Sequence, residues 1–426
     1  MKTQIRYDYP CVPVGEEFTI RMLLSLKGER RAEKPVPLDI SLVLDRSGSM
    51  GGGKLKKVLA ATRMMAGQLT PEDILSLVTF SNTVDTHINR AGGDGLEAID
   101  HVLAGIRADG QTFLSGGYCE GVRLAAASRS KTVSRVFLLS DGHANKGVSD
   151  IAELAVMAAG NLRENVSTTT FGVGDDFDEE LMTGMASSGG GNSYYIDDPE
   201  HAAVVFREEL QNLRQLYALG CTVRFRPAEG VSAASLSLFG SMGHDGDCWL
   251  VGDVSSSEES RLVLELTVPA AARPVQGCLL GELELQWISL KNGRSASRTL
   301  EVRVDAVSPE KFQAVRPDNE VIAEAAFLTA GRAKLEARSL ADRRCFDEAA
   351  ELLERYASSL DALGLNDSRL NEEIAALRSR AERIRLEREH YYSARTSKML
   401  AYESYNMIRS KKQAYESMRQ RMAETE

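Results

Sequence analysis

From residue 38 onward, short apolar runs alternate along the chain with longer segments of helical periodicity. The apolar runs predict strands at 38–45, 73–81, 135–141 and 166–174. The segments between and after them predict helices at 54–69, 95–106, 116–129, 149–165 and 199–216. Strands that are apolar on both faces and separated by helices indicate a mostly parallel sheet covered on both sides. The pattern therefore predicts a doubly wound, Rossmann-like α/β domain.

Residues 221–305 follow a different pattern, in which short segments alternate between apolar and polar positions and are separated by Gly, Pro and Ser. Several short strands at regular spacing are typical of a β-sandwich. Residues 16–26 are also β-capable but have no neighbouring strand segment. Because an unpaired strand exposes its edge, we expect residues 1–36 to pair with the later sheet. The α/β domain is then an insertion within a discontinuous β-sandwich.

After Pro309 the chain is helical in pattern, and part of it has the 4-3 spacing of a coiled-coil seam. Arg388 occupies one position of this seam. The other seam positions are Leu370, Ile374, Leu377, Ala381, Ile384 and Tyr391. The predicted division is the N-terminal part of the sandwich at 1–36, the α/β domain at 37–218, the rest of the sandwich at 219–307 and an α-helical, coiled-coil C-terminal region at 308–426.

Composition narrows the class of protein. The 426 residues are 43% hydrophobic and 26% charged, which is typical of a soluble multidomain protein and excludes a disordered chain. A net charge of −10 argues against a nucleic-acid binder that acts through its overall field. Neither a secretory signal nor a membrane-spanning apolar run is evident, and the six cysteines form no C-x-x-C pair. We expect a cytoplasmic protein with free thiols and no membrane partner.

The densest set of reactive side chains follows two strands of the predicted sheet. Asp45 ends the first strand, Ser47 and Ser49 follow it directly, Asp141 ends another strand, and Thr112 lies in a third loop. Ligands of open parallel sheets bind beyond the carboxyl ends of the strands. Carboxylate and hydroxyl oxygens without sulfur or imidazole suit Mg²⁺, with Mn²⁺ or Ca²⁺ as alternatives. Either aspartate alone is better explained as a helix cap or as a ligand of a structural ion that binds no partner, and only the whole set of five favours a metal site that binds a partner.

These residues resemble the von Willebrand factor type A family. Its metal-ion-dependent adhesion site is written D-x-S-x-S, followed by a distant Thr and a distant Asp, and all five positions are matched here. Agreeing segments are SGSMGGGKL at 47–55, SDGHANKG at 140–147 and the stretch at 169–196. The resemblance covers 38–216, about half of the chain.

The resemblance implies a fold and a way of binding. It implies that the five residues hold the ion and that an acidic side chain of a partner protein completes its coordination. His143 and Asn145 lie on the rim, where they either contact a ligand or stabilise the loop. The implied protein is a non-enzymatic, Mg²⁺-dependent adaptor in a bacterial cytoplasmic complex or a stress or conflict system. Family analogy adds a MoxR-type AAA+ ATPase as a partner.

Two other functions compete with this interpretation. Gly48 to Lys54 has the GxxxxGK spacing of a phosphate-binding loop, which would make the protein an NTPase. Against it, the next residue is Leu55 instead of the Ser or Thr that holds Mg²⁺ in such loops. The second alternative is a structural scaffold whose metal site is vestigial. No histidine forms a recognisable catalytic triad with a motif serine or cysteine.

The C-terminal segment differs in charge from the rest of the chain. Residues 369–426 contain 13 Lys and Arg against nine Asp and Glu, and tyrosines are interleaved with methionines toward the end. Such a segment forms an adaptable partner-binding surface or packs along its own body, and the sequence leaves both open. The positive excess is too small to favour nucleic acid or a membrane.

Overall fold

The computed structural model describes residues 1–29, 35–92, 99–127, 132–174, 177–196, 199–237 and 248–388, together with 396, 397, 400, 401, 403, 404 and 407. The chain opens with three strands, β1 (Lys2–Tyr7), β2 (Cys11–Pro13) and β3 (Phe18–Lys27). β1 and β3 pair as an antiparallel hairpin. After them the chain enters the α/β unit.

A six-stranded sheet forms the centre of this unit. Its strands are β4 (Leu38–Asp45), β5 (Ile74–Phe80), β6 (Val84–Gly92), β7 (Val133–Ser140), β8 (Val166–Val173) and β9 (Gly190–Ile196). Their spatial order is β6-β5-β4-β7-β8-β9, and every pair is parallel except β5 with β6. The chain leaves β4 for β5 on one side and returns to β7 on the other. The carboxyl end of β4 is therefore the switch point of the sheet.

Six helices cover the two faces of the sheet. They are α1 (Lys54–Ala66), α2 (Ile99–Gly105), α3 (Leu114–Ala126), α4 (Ile151–Asn161), α5 (Glu179–Ser188) and α6 (Pro199–Arg214). α1, α2 and α6 share one core with residues such as Leu42 and Phe137, whereas α3, α4 and α5 share a second core with Val43 and Val136. Successive residues of one strand thus enter opposite cores, as the pleat requires.

The remaining strands complete a two-sheet sandwich. They are β10 (Leu216–Pro227), β11 (Ser232–Ser235), β12 (Cys248–Ser255), β13 (Ser260–Val268), β14 (Val275–Ser289) and β15 (Arg294–Val307). One sheet has the order β1-β3-β13-β11 and the other β12-β10-β14-β15-β2. The N-terminal strands pair with strands that lie more than 200 residues later, so the α/β unit is inserted between them. The predicted fold class is confirmed.

The C-terminal helices form a bundle within the chain. They are α8 (Asn319–Asp342), α9 (Phe346–Asp361) and α10 (Ser368–Glu387). The short α7 (Pro309–Gln313) precedes the bundle and packs on the sandwich, where Phe312 contacts Tyr9 and Phe18. The predicted seam positions from Leu370 to Ile384 are buried against α8 and α9, which makes the seam an internal packing surface. Tyr391 lies outside the described residues. Met407 belongs to the same core, so part of the C-terminal segment packs on the bundle.

Ion pairs join the α/β unit to the sandwich and to the C-terminal helices. Arg135 of β7 lies 2.7 Å from Asp253 of β12, and both side chains are almost fully buried. On α8, Arg338 pairs with Glu179 at the start of α5. In the part of the chain that the structure describes, no helix is both long and apolar enough to cross a membrane.

Several elements differ from the sequence prediction. β6, β9 and α5 were not predicted. β6 is a half-exposed edge strand and β9 opens with glycine, so neither of these two strands has a continuous apolar run. Within the alternating segments of 221–305, β11 is only four residues long and ends at Ser235, and residues 238–247 lie outside the described part. Residues 95–98 of the helix predicted at 95–106 also lie outside the described part, and the described helix α2 begins at Ile99.

Candidate metal site

Asp45 is the last residue of β4 and is fully buried at the switch point. Its Oδ1 accepts a hydrogen bond of 2.8 Å from the backbone N–H of Ser47. This bond closes a turn that leads the chain away from the sheet. Oδ2 of Asp45 accepts a hydrogen bond of 2.6 Å from the hydroxyl of Ser140, at the end of the neighbouring strand. Two bonds to two elements fix the carboxylate at this edge.

Ser47 and Ser49 lie on the turn that follows. Residues Gly48–Met50 form one turn of 3₁₀ helix, anchored by the fully buried Met50. This places the two serine Oγ atoms 3.0 Å apart, with Ser47 buried and Ser49 exposed. Two hydroxyls at this separation on one side of a buried carboxylate are suited to bind the same cation.

The loop that carries Thr112 is hydrogen-bonded to this turn. The carbonyl of Gly110 accepts a bond of 3.0 Å from the N–H of Gly48. Gly110 has φ +79°, a backbone conformation that favours glycine, and a Cβ at this position would lie 2.4 Å from the Asn82 side chain. Thr112 is buried two residues further on.

Asn145 holds Thr112 from the other side. Its side-chain Oδ1 accepts a bond of 2.8 Å from the N–H of Thr112, and its own N–H donates to the Thr112 carbonyl at 3.3 Å. Asn145 thus positions a predicted ligand through the backbone, which is the loop-stabilising role considered for it. His143, the other predicted rim residue, is exposed on the same loop.

Asp141 follows β7 and is fully buried. The Lys54 ammonium donates to its Oδ2 at 3.2 Å. Its Oδ1 is also buried and has no hydrogen-bond partner among the described residues. A buried carboxylate oxygen without a partner is costly, and a bound cation relieves that cost.

The pKa of Asp45 also indicates a site that a cation would stabilise. Burial raises the pKa of Asp45 to about 6, although the hydrogen bonds from Ser140 and Ser47 lower it, and the charge of Asp141 raises it further. Two carboxylates are therefore buried near each other, with Lys54 beside one of them. The donor set is made entirely of oxygen, and it fits a hard divalent cation such as Mg²⁺.

The structure thus brings the predicted residues to one edge of the sheet. The hydroxyl of Ser140 and the ammonium of Lys54 also lie there, and sequence reasoning gave neither a role in the site. The signal for Ser140 was a polar residue at the end of an otherwise apolar strand. No group of three or more His, Cys, Asp and Glu side chains suited to a metal occurs among the described residues; the set here has only two carboxylates.

The phosphate-loop alternative concerns the same segment. Its lysine, Lys54, is the first residue of α1 and pairs with Asp141, and the following Leu55 is buried in the core. A nucleotide would have to compete with Asp141 for the ammonium. The NTPase alternative stays a prediction, which a nucleotide-turnover assay tests.

Comparison with known proteins identifies the domain that carries this site. The family model for the von Willebrand factor type A domain matches residues 39–209. The uncharacterized protein sll0103 of Synechocystis is 29% identical over 194 residues, which are 46% of this chain and 46% of that protein. The chain thus spans about half the length of this relative.

Two solved structures have the same overall fold. A von Willebrand factor type A protein from Catenulispora acidiphila superposes with a TM-score of 0.70 at 16% identity, over 94% of this chain and 96% of that one. The ArnB paralog VWA2 from Sulfolobus acidocaldarius gives 0.62 at 14% identity, over 96% and 98%. At these identities the likeness shows the fold alone. Residues 39–209 form a von Willebrand factor type A domain, which is generally a protein-interaction module.

Proposed function

We propose that this type A domain binds Mg²⁺ through Asp45, Ser47, Ser49, Thr112 and Asp141 and uses the ion to capture an acidic side chain of a partner protein. The protein is then a non-enzymatic adaptor. The observation that carries the proposal is the buried Oδ1 of Asp141, which has no hydrogen-bond partner among the described residues. It lies in a site where a second carboxylate, Asp45, is also desolvated.

The composition of the site explains why a carboxylate is the expected ligand. Three of the five donors are neutral hydroxyls, so the ion keeps part of its charge and attracts an anionic oxygen. Ser49 is the exposed member of the set, and it gives a partner access from that side. A carboxylate that replaces water on the ion forms a charge-assisted contact. The partner is expected to present an exposed Asp or Glu, and a MoxR-type ATPase is the class to test first.

Metal binding is tested by thermal and chemical unfolding with and without Mg²⁺. A ligand at 100 times its Kd stabilises the folded state by about 2.7 kcal/mol. Wild type should gain stability of this order. Asp141→Asn should gain none, because the substitution replaces an anionic metal ligand with a neutral amide of nearly the same size. Asp150→Asn is the matched control, since Asp150 caps α4 through an acceptor that Asn retains.

Partner capture is tested separately. Pull-down with a candidate partner should succeed in Mg²⁺ and fail in EDTA or with Asp141→Asn. A wild-type protein that retains no ion and gains no stability from Mg²⁺ would contradict the metal site. Capture that is unaffected by EDTA would instead support the scaffold alternative.

A further inference from the structure

Lys54 occupies a position that local helix energetics disfavour. It is the first residue of α1, whose first turn contains no acidic residue and includes Lys56 and Lys57 as well. The amino end of a helix carries a partial positive charge, so a cation there is destabilising by about 0.3 to 1 kcal/mol. A residue that breaks a local rule without a stabilising role in its own element is a candidate for function.

The geometry shows what offsets this cost. Side chains in a helix lean toward its amino end, so the Lys54 stem extends back toward the edge of the sheet. Its ammonium lies 3.2 Å from Oδ2 of Asp141, with one fifth of the Lys54 side chain exposed and none of the Asp141 side chain. The glycines before it, Gly52 and Gly53, have φ +68° and +122°, and this turn lets the helix begin at Lys54. Asp141 is one of the five proposed metal ligands.

We propose that Lys54 is a tethered cation that shares Asp141 with the divalent ion and tunes the site in two opposite directions. It weakens the binding of Mg²⁺, because a positive charge is already present on the carboxylate. It strengthens the binding of a partner carboxylate to the loaded site, because the ion and two aspartates sum to about zero charge and Lys54 adds one positive charge. This inference rests on the proposed function and deepens it.

The chemistry has a consequence for partner selection. Without Lys54, a loaded site with both aspartates ionised carries little net charge, and its attraction for a carboxylate comes from the ion alone. With Lys54, the loaded site carries a net positive charge in a partly buried environment, where charges interact more strongly than in water. Lys54 thereby favours anionic ligands over neutral ones.

The first experiment measures the Kd of Mg²⁺ by isothermal titration calorimetry. Lys54→Met removes the charge and keeps much of the stem, Lys54→Arg keeps the charge, and Lys56→Met removes a charge from an exposed lysine of the same turn. We expect Lys54→Met to bind Mg²⁺ about tenfold more tightly than wild type, which corresponds to about 1.4 kcal/mol. Lys54→Arg and Lys56→Met should stay close to wild type.

The second experiment measures carboxylate affinity on protein loaded with Mn²⁺, with acetate as the probe. Displacement of bound water by acetate lowers the water-proton relaxation enhancement. Lys54→Met should need about tenfold more acetate for the same change. Because Lys54→Met leaves Asp141 without its lysine, the variant can differ from wild type in stability. Thermal unfolding of both proteins is therefore measured in EDTA and in Mg²⁺. A lower melting temperature in EDTA with a larger Mg²⁺-induced rise than wild type is the expected result.

The outcomes separate the two proposals. If wild type binds Mg²⁺ and Lys54→Met binds it equally or more weakly, Lys54 only positions Asp141 and the inference is wrong while the proposed function stands. Unchanged acetate affinity in Lys54→Met also overturns it. If neither wild type nor Lys54→Met binds Mg²⁺, the proposed function itself fails. Binding by Lys54→Met but not by wild type would overturn both proposals, because Lys54 would then occupy the site of the wild-type protein in place of the metal.

Discussion

Glu403 anchors the C-terminal segment through a buried cluster of charges, and its substitution is the most informative test of the helical region. Its carboxylate oxygens lie 2.7 Å from the Lys334 ammonium and 2.6 Å from the Arg380 guanidinium. Lys334 also lies 2.5 Å from Glu373. All four side chains are buried. The cluster joins α8, α10 and the C-terminal segment, and Glu403→Gln removes one charge at nearly constant shape.

The magnitude follows from the pKa of Glu403. Burial raises this pKa, but the charges of Arg380 and Lys334 and their hydrogen bonds lower it, and the net result is about 2 against an ordinary 4.5. At 1.36 kcal/mol per pKa unit, ionised Glu403 contributes about 3 kcal/mol. Removal of one member of a buried ion pair costs about 3 to 5 kcal/mol, so the two values agree.

The sign of the pH dependence is set by the lowered pKa. Because the folded state holds its proton less tightly than the unfolded state, the contribution is fully present above about pH 4.5. It is lost as the pH falls toward about 2. The stability difference between wild type and Glu403→Gln should therefore be about 3 kcal/mol at pH 7 and should shrink across this window.

Hydrogen exchange of amides in α8 and α10 reports the stability of this region separately from the other units. Glu382→Gln, an exposed change on α10, is the matched control and should leave protection unaltered. Equal protection of Glu403→Gln and wild type at pH 7 would refute the reasoning. If the difference in protection between Glu403→Gln and wild type is as large at the acid end of this pH window as at pH 7, lost packing, and not lost charge, is the cause.

Two further predictions concern the sandwich and the metal site. Deletion of residues 1–29 should lower amide protection in β13 much more than in β4, because β13 loses its partner strand β3; equal protection in the truncated and full-length proteins would rule out this dependence. Asn145→Ala should raise the Kd of Mg²⁺ about five- to tenfold by calorimetry, because a bond to the Thr112 backbone worth about 1 kcal/mol is lost. An unchanged Kd would remove Asn145 from the positioning of Thr112.

The sequence by itself determined the layout of the α/β unit and the residues at its edge. β4, β5, β7 and β8 were predicted within one or two residues of their bounds, because strands buried on both faces must be apolar throughout. Parallel strands end at a common edge, so the position of Asp45 and Asp141 at the carboxyl ends of two such strands is enough to predict that they meet there. All helices of this unit except α5 followed from their periodicity, since each must bury one face against the sheet.

Only the tertiary structure decided which groups pair at long range. The pairing of Lys54 with Asp141 and of Arg135 with Asp253 depends on side chains separated by 87 and 118 positions, and no local pattern encodes such contacts. The same holds for the 4-3 seam of α10, whose spacing fits a partner chain as well as it fits α8 and α9. The periodicity of apolar residues predicts which face of a helix or strand is buried. What covers that face, and which charges meet across it, depends on the packing of the whole chain.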